Sequence, residues 1–231
     1  AARPRGAVLP CGLLPLDAAL PAGGLGLGSI HEVAGGGTGA VDGAVAALFA
    51  AGIVARVPGP VLWCVTRADL FAPALSQVGL DPDRVIYVEA RDEKTLMACV
   101  EEGLRHAGLA GVVAEVARLS MTASRRLQLA AEQSGVLGLV VRRWRRAAEA
   151  ADFGQPTAAA TRWRVTPLPS APLPVPGIGR ARWFVELIRC RAGDCAEFTV
   201  EACDEKGRLA LPAELADRSA QAPAGRRRAA A

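Results

Sequence analysis

Lysine is almost missing from this 231-residue chain: Lys94 and Lys206 are the only two, and arginine carries the remaining positive charge. Chemistry that sets a lysine against a phosphate must use one of those positions or do without. No apolar run approaches the roughly 18 residues that a membrane-spanning helix needs, so no membrane contact is expected. The first ten residues, A-A-R-P-R-G-A-V-L-P, show neither the apolar stretch of a signal peptide nor an initiator methionine, and residues 1 to 10 are read as a trimmed remnant or linker. Six cysteines occur (Cys11, Cys64, Cys99, Cys190, Cys195, Cys203) but never as C-x-x-C. Only His31 and His106 could join them, which argues against a zinc site. Cys64 lies in an apolar run, V-L-W-C-V-T, and nothing else suggests secretion; the thiols are read as reduced and the protein as cytoplasmic. Both histidines are read as structural or surface residues.

What is present points to one α/β domain. The composition is 51% hydrophobic and 22% charged, enough apolar material for a single sizeable core. Apolar runs of strand length recur at 29 to 34, 61 to 66, 85 to 89, 111 to 116 and 136 to 141. Helix-like segments separate them at 42 to 54, 68 to 78, 92 to 107 and 121 to 134. Nearly all-apolar strands alternating with amphipathic helices predict a mainly parallel sheet covered by helices on both faces. From 161 onward the pattern changes to period-two alternation in T-R-W-R-V-T, R-W-F-V-E-L-I-R-C-R and A-E-F-T-V-E-A, which predicts antiparallel strands added toward the C-terminus. The core is placed at 11 to 212. Residues 213 to 231, ending A-G-R-R-R-A-A-A, are low in bulky apolar groups and are expected to be a disordered basic tail.

The net charge is +4 but unevenly placed. Between Arg142 and Arg191 there are ten arginines against three acids, Glu149, Asp152 and Glu186. A basic face confined to one half of a domain suits a polyanion or an acidic partner; a solvated charged face is the alternative.

Two stretches carry a resemblance. C-G-L-L-P-L-D-A-A-L-P-A-G-G-L-G-L-G-S-I-H-E-V-A-G, residues 11 to 35, resembles the start of the RecA-type recombinase core, with Gly12, Leu16, Asp17, Gly23, Gly24, Gly28, Glu32, Val33 and Gly35 on the family's positions. The likeness continues more weakly through S-Q-V-G-L-D, G-V-V-A-E-V and I-R-C-R-A-G-D-C-A-E-F, to about residue 205. It implies a RecA-like fold and a phosphate loop at G-G-G-T-G-A-V-D: Gly35, Gly36, Gly37, Thr38, Gly39, Ala40, Val41 and Asp42. A working loop needs a lysine on the β and γ phosphates and a hydroxyl on magnesium. Val41 and Asp42 stand at those two places. Arg67 falls where the family's water-polarising glutamate belongs, and Glu115 where an Asp is expected. Arginine cannot act as a base at neutral pH. The chain is therefore expected to be a degenerate ATPase, not an enzyme, without cofactor or metal.

A RecA-like core without ATPase motifs is similar to the ImuA family. That resemblance implies an accessory role in SOS-induced translesion synthesis and mutagenesis, beside an inactive Y-family polymerase homologue and an error-prone DnaE-type polymerase, with RecA as a further partner and nucleoid association on induction. The same core is similar to SulA cell-division inhibitors, which bind the tubulin-like division protein; that reading and a cryptic ATPase stand as alternatives. By the same resemblance Arg189 and Arg191 match a cationic pair at the recombinase subunit interface, implying a homo-oligomer. The segment R-R-W-R-R followed by A-A-E-A-A-D-F-G sits where recombinases carry their second DNA loop. Arg142, Arg143, Trp144, Arg145, Arg146 and Phe153 are accordingly candidates for single-stranded DNA, by phosphate contact and stacking.

Overall fold

The computed structural model describes residues 6–144, 146–173 and 175–212. A two-stranded ribbon comes first, β1 (Val8–Leu9) paired antiparallel with β2 (Leu25–Gly26), so residues of the expected linker belong to the folded unit. Between the two strands lies α1 (Leu14–Ala18), where the Asp17 carboxylate accepts from the Cys11 and Gly12 amides at 2.5 and 3.0 Å.

The main sheet follows in βα alternation: β3 (Ile30–Gly35), α2 (Ala40–Ala55), β4 (Val61–Val65), α3 (Ala72–Gln77), β5 (Val85–Glu89), α4 (Glu93–Arg105), β6 (Gly111–Val116), α5 (Met121–Ser134) and β7 (Leu137–Arg142). After a short α6 (Ala147–Ala150) come β8 (Thr161–Leu168), β9 (Arg182–Cys190) and β10 (Ala196–Glu201). Eight strands lie in the order β10-β9-β8-β3-β7-β6-β4-β5. Strands β3 to β8 are mutually parallel, and β9 and β10 are antiparallel. The predicted architecture is therefore the observed one.

Two apolar layers hold it together. On one face α2 packs through Val45, Phe49, Ile53 and Val54, and the Phe49 ring lies 5.8 Å from Trp163 and 6.2 Å from Trp183. The run of alanines in α2 lets that helix press close to the sheet. On the other face Leu96, Val100 and Leu104 of α4 and Leu127 and Ala131 of α5 form a second cluster. Asp92 caps α4 by accepting from the Thr95 amide at 2.7 Å, and Ser120 caps α5. Strand β5 departs from the expectation of coverage on both faces. It is the edge strand, and Ile86 and Tyr87 are about half exposed.

Among the described residues no helix is long and apolar enough to cross a membrane.

Candidate functional site

The turn between β3 and α2 is organised around one carboxylate. A Cβ on Gly35 would collide with the Asp42 backbone, and one on Gly36 with the Thr166 side chain; one on Gly37 would lie 2.8 Å from the Asp42 carboxylate. Asp42 stands in the first turn of α2 and accepts from the Gly39 amide at 3.1 Å. A helix N-terminus carries about half a positive charge and attracts anions. Here the anion belongs to the chain itself. The Val41 side chain, 64% exposed, points to solvent.

In front of this turn opens a cleft of about 660 Å³, bordered by Thr38, Ala40, Arg67, Asp69, Glu115 and Arg143. It lies outside the C-terminal ends of the parallel strands, where open α/β sheets hold ligands. Arg143 spans it, with its guanidinium 3.0 Å from Glu115 and 3.2 Å from Asp69. A Cβ on Gly43 would come within 3.1 Å of Arg143, so glycine at that helical position makes room for the arginine. Glu115 also accepts from the Trp63 indole N–H at 2.9 Å. Burial raises the Glu115 carboxyl above its ordinary pKa, against the opposing pull of Arg143 and the Trp63 hydrogen bond. Arg67 stands exposed at the mouth.

Behind the cleft runs a buried ion network across three adjacent strands. Glu32 of β3, fully buried, lies 3.2 Å from Arg142 of β7 and 3.0 Å from Arg162 of β8, and accepts a hydrogen bond from Thr157. Arg142 also pairs with Asp152 and donates to the Ala117 carbonyl at 3.0 Å. Phe153 is buried beneath the two guanidinium groups, 5.1 Å from Arg162 and 5.9 Å from Arg142, with the Trp144 ring edge-on at 5.6 Å. From the other side Arg189 donates to the Thr157 carbonyl at 2.9 Å, and Arg191 to the Ala158 carbonyl at 2.6 Å. The segment after β7 is thus tied to the sheet by side chains at both ends.

His31 is buried at the start of β3. Its Nε2 donates to the Gly26 carbonyl at 3.0 Å, which leaves Nδ1 to accept from the Thr161 hydroxyl at 2.7 Å. Burial lowers its pKa to about 4. Among the described residues no cluster of three or more His, Cys, Asp or Glu side chains could hold a metal ion.

Compared with known proteins, the chain is 41% identical over 235 residues to Protein ImuA from two strains of Caulobacter vibrioides, covering 95% of this chain and 95% of each relative. The chain belongs to the ImuA family. No protein-family model matches it. Its fold is similar to that of the RadB recombinase, with a TM-score of 0.60 and 17% identity, covering 88% of this chain and 99% of that one. At that identity the likeness shows the RecA-like architecture alone.

In this ImuA-family chain the arginine-rich segment is built differently from the expectation. Arg142 is 1% exposed and Phe153 4%, so neither can meet DNA from the surface: the Glu32 and Asp152 carboxylates hold Arg142 inside, and Phe153 fills the space below it. Arg143 turns into the cleft, and Trp144 packs on Phe153. Arg146 is exposed ahead of α6, and Arg145 lies outside the described residues, as does the basic tail from 213. Reading the sequence alone placed Glu32 only as a position of the recombinase resemblance and Asp152 only as an acid of the basic stretch, and gave no role to Trp63 or Asp69. Glu32 did carry a signal, being the single acid in an apolar run, I-H-E-V-A, that the sheet buries.

Proposed function

We propose that this chain is a non-catalytic RecA-like accessory protein of damage-induced translesion synthesis. It works by bringing together the Y-family polymerase homologue and the DnaE-type polymerase of its pathway, self-associating as it does so. The 41% identity to Protein ImuA supports the pathway over the division-inhibitor alternative. The observation that carries the lack of catalysis is the Asp42 carboxylate on the Gly39 amide. A polyphosphate at this loop would meet a fixed negative charge. At 4 Å and an effective dielectric of 20, each such pair costs about 4 kcal/mol before screening. Arg143, bound to Glu115 and Asp69, supports the same reading, because it fills the place where a metal and its water would be oriented. A single-stranded DNA surface in this protein has to use Arg146 and outer cations, with Arg142 and Phe153 inside.

Two measurements test the proposal. Titration of the full chain with Mg-ATP by calorimetry should give no saturable binding; micromolar affinity or turnover would overturn the non-catalytic reading. Mixing with the purified polymerase homologue should yield a co-eluting complex of defined mass. Binding to the tubulin-like division protein instead would return the SulA-like alternative.

A further inference from the structure

A second hollow, of about 390 Å³, shares no residue with the cleft and opens between α5 and the strap at 157 to 160 that leads into β8. Its floor is aliphatic. Arg125 and Leu129 stand one turn apart on α5 and so share a face, which is turned outward because Leu127, Ala130 and Ala131 pack into the core. Leu129 is 57% exposed, and Met121 and Ala158 continue the apolar surface on either side of it. The strap is fixed in place from two directions. The Ser124 hydroxyl of α5 accepts from the Ala158 amide at 2.9 Å, and the Ala160 amide donates to the Ile30 carbonyl of β3 at 2.8 Å.

Three arginines line this hollow and no acid does. Arg189 of β9 donates through Nη1 to the Thr157 and Ala159 carbonyls at 2.9 and 3.3 Å, and Arg191 donates through Nη2 to the Ala158 carbonyl at 2.6 Å. The remaining N–H groups of both forks are unused. Arg125 is exposed on α5, and among the described residues none of the three arginines has a carboxylate partner. The acids nearby are engaged elsewhere. Glu32, beneath the strap, is held by Arg142 and Arg162. Glu132, one turn beyond Gln128 on α5, borders the adjoining groove, where the Gln128 amide donates to it at 2.8 Å. The hollow therefore combines uncompensated positive charge with an aliphatic floor.

We infer that this hollow binds an acidic peptide segment of a partner protein, with an aliphatic side chain on the Leu129 floor and carboxylates on Arg125, Arg189 and Arg191. Hydrogen bonds between guanidinium and carboxylate are stronger than those between neutral groups. An arginine fork already pinned on one side loses little freedom when a carboxylate takes the other. The floor selects a peptide over a nucleic acid. No aromatic ring lines the hollow to stack a base, and a phosphate alone would leave Leu129 in water. The inference deepens the proposed function by naming the kind of segment through which a partner is held, and it rests on that reading for there being a partner to hold.

The test is fluorescence anisotropy of the full chain with a labelled peptide in which aspartate and leucine alternate. It uses neither polymerase, so peptide binding and polymerase co-elution can fail separately. Binding should saturate and weaken as salt is added. It should weaken about tenfold in Arg125→Glu and in Leu129→Ser, and by a similar factor when serine replaces leucine in the peptide. Both altered side chains are exposed, and an unchanged thermal melt confirms that each variant folds. Absence of saturable binding, or binding indifferent to Arg125→Glu or to the loss of the leucines, would overturn the inference. So would an oligothymidylate that binds more tightly than the peptide and is lost in Arg125→Glu, which would make the ligand a nucleic acid. A sedimentation mass of the chain alone that falls in Arg125→Glu would make the occupant a second copy and overturn it equally.

Discussion

The turn at 35 to 42 and the segment from 142 to 162 each concentrate charge, and both adjoin strand β3. They hold that charge in opposite ways. In the first, one short carboxylate near the surface caps a helix, and a glycine neighbourhood shapes itself around it. In the second, two arginines are carried inside and balanced by Glu32 and Asp152. A cap can be removed with modest damage, whereas a buried ion cannot lose its partner without leaving a stranded charge. The first region is therefore tolerant and the second brittle.

The largest effect should come from breaking the brittle region. Glu32→Leu leaves Arg162 without a carboxylate and Arg142 with Asp152 alone, and should lower unfolding free energy by about 3–5 kcal/mol in urea denaturation. A loss below 1 kcal/mol would show that the network holds nothing. His31, next to Glu32 at the start of β3, gives the next largest effect and a pH signature. Its folded pKa of about 4 lies below the ordinary 6.5, so the unfolded chain binds the extra proton. Stability should be unaffected above pH 6.5 and fall as pH drops from 6.5 toward 4, by about 3 kcal/mol in all. In His31→Asn that part of the pH slope should vanish. Removing the cap is milder: Asp42→Ala should cost about 1 kcal/mol. Smallest of all, Arg146→Ala should shift stability by no more than about 0.5 kcal/mol, and a larger change would mean that the exposed end of the segment is also pinned.

Strand runs, helices and the switch to antiparallel pairing were legible because periodicity is a local property. The expected runs at 111 to 116 and 121 to 134 coincide with β6 and α5, and the end at 141 misses β7 by one residue. The missing lysine was equally local. What could not be read was which way R-R-W-R-R faces. Arg142 closes β7, and its inward turn depends on a glutamate 110 residues earlier and an aspartate ten residues later. Five clustered cationic and aromatic residues look alike whether they form a surface or a lining, and only the paired strands decide. The ribbon β1–β2 escaped notice for a similar reason: two-residue strands have no period to detect.

The glycine at position 43 links the turn to the cleft. It leaves space that Arg143 occupies, and Arg143 in turn holds Glu115 and Asp69. A lysine placed at position 41 would still face the Gly39 amide held by Asp42, and a threonine placed at 42 would uncap the helix and leave the arginine where it is. The three positions are thus coupled through contacts, and the effect of changing one depends on what stands at the others.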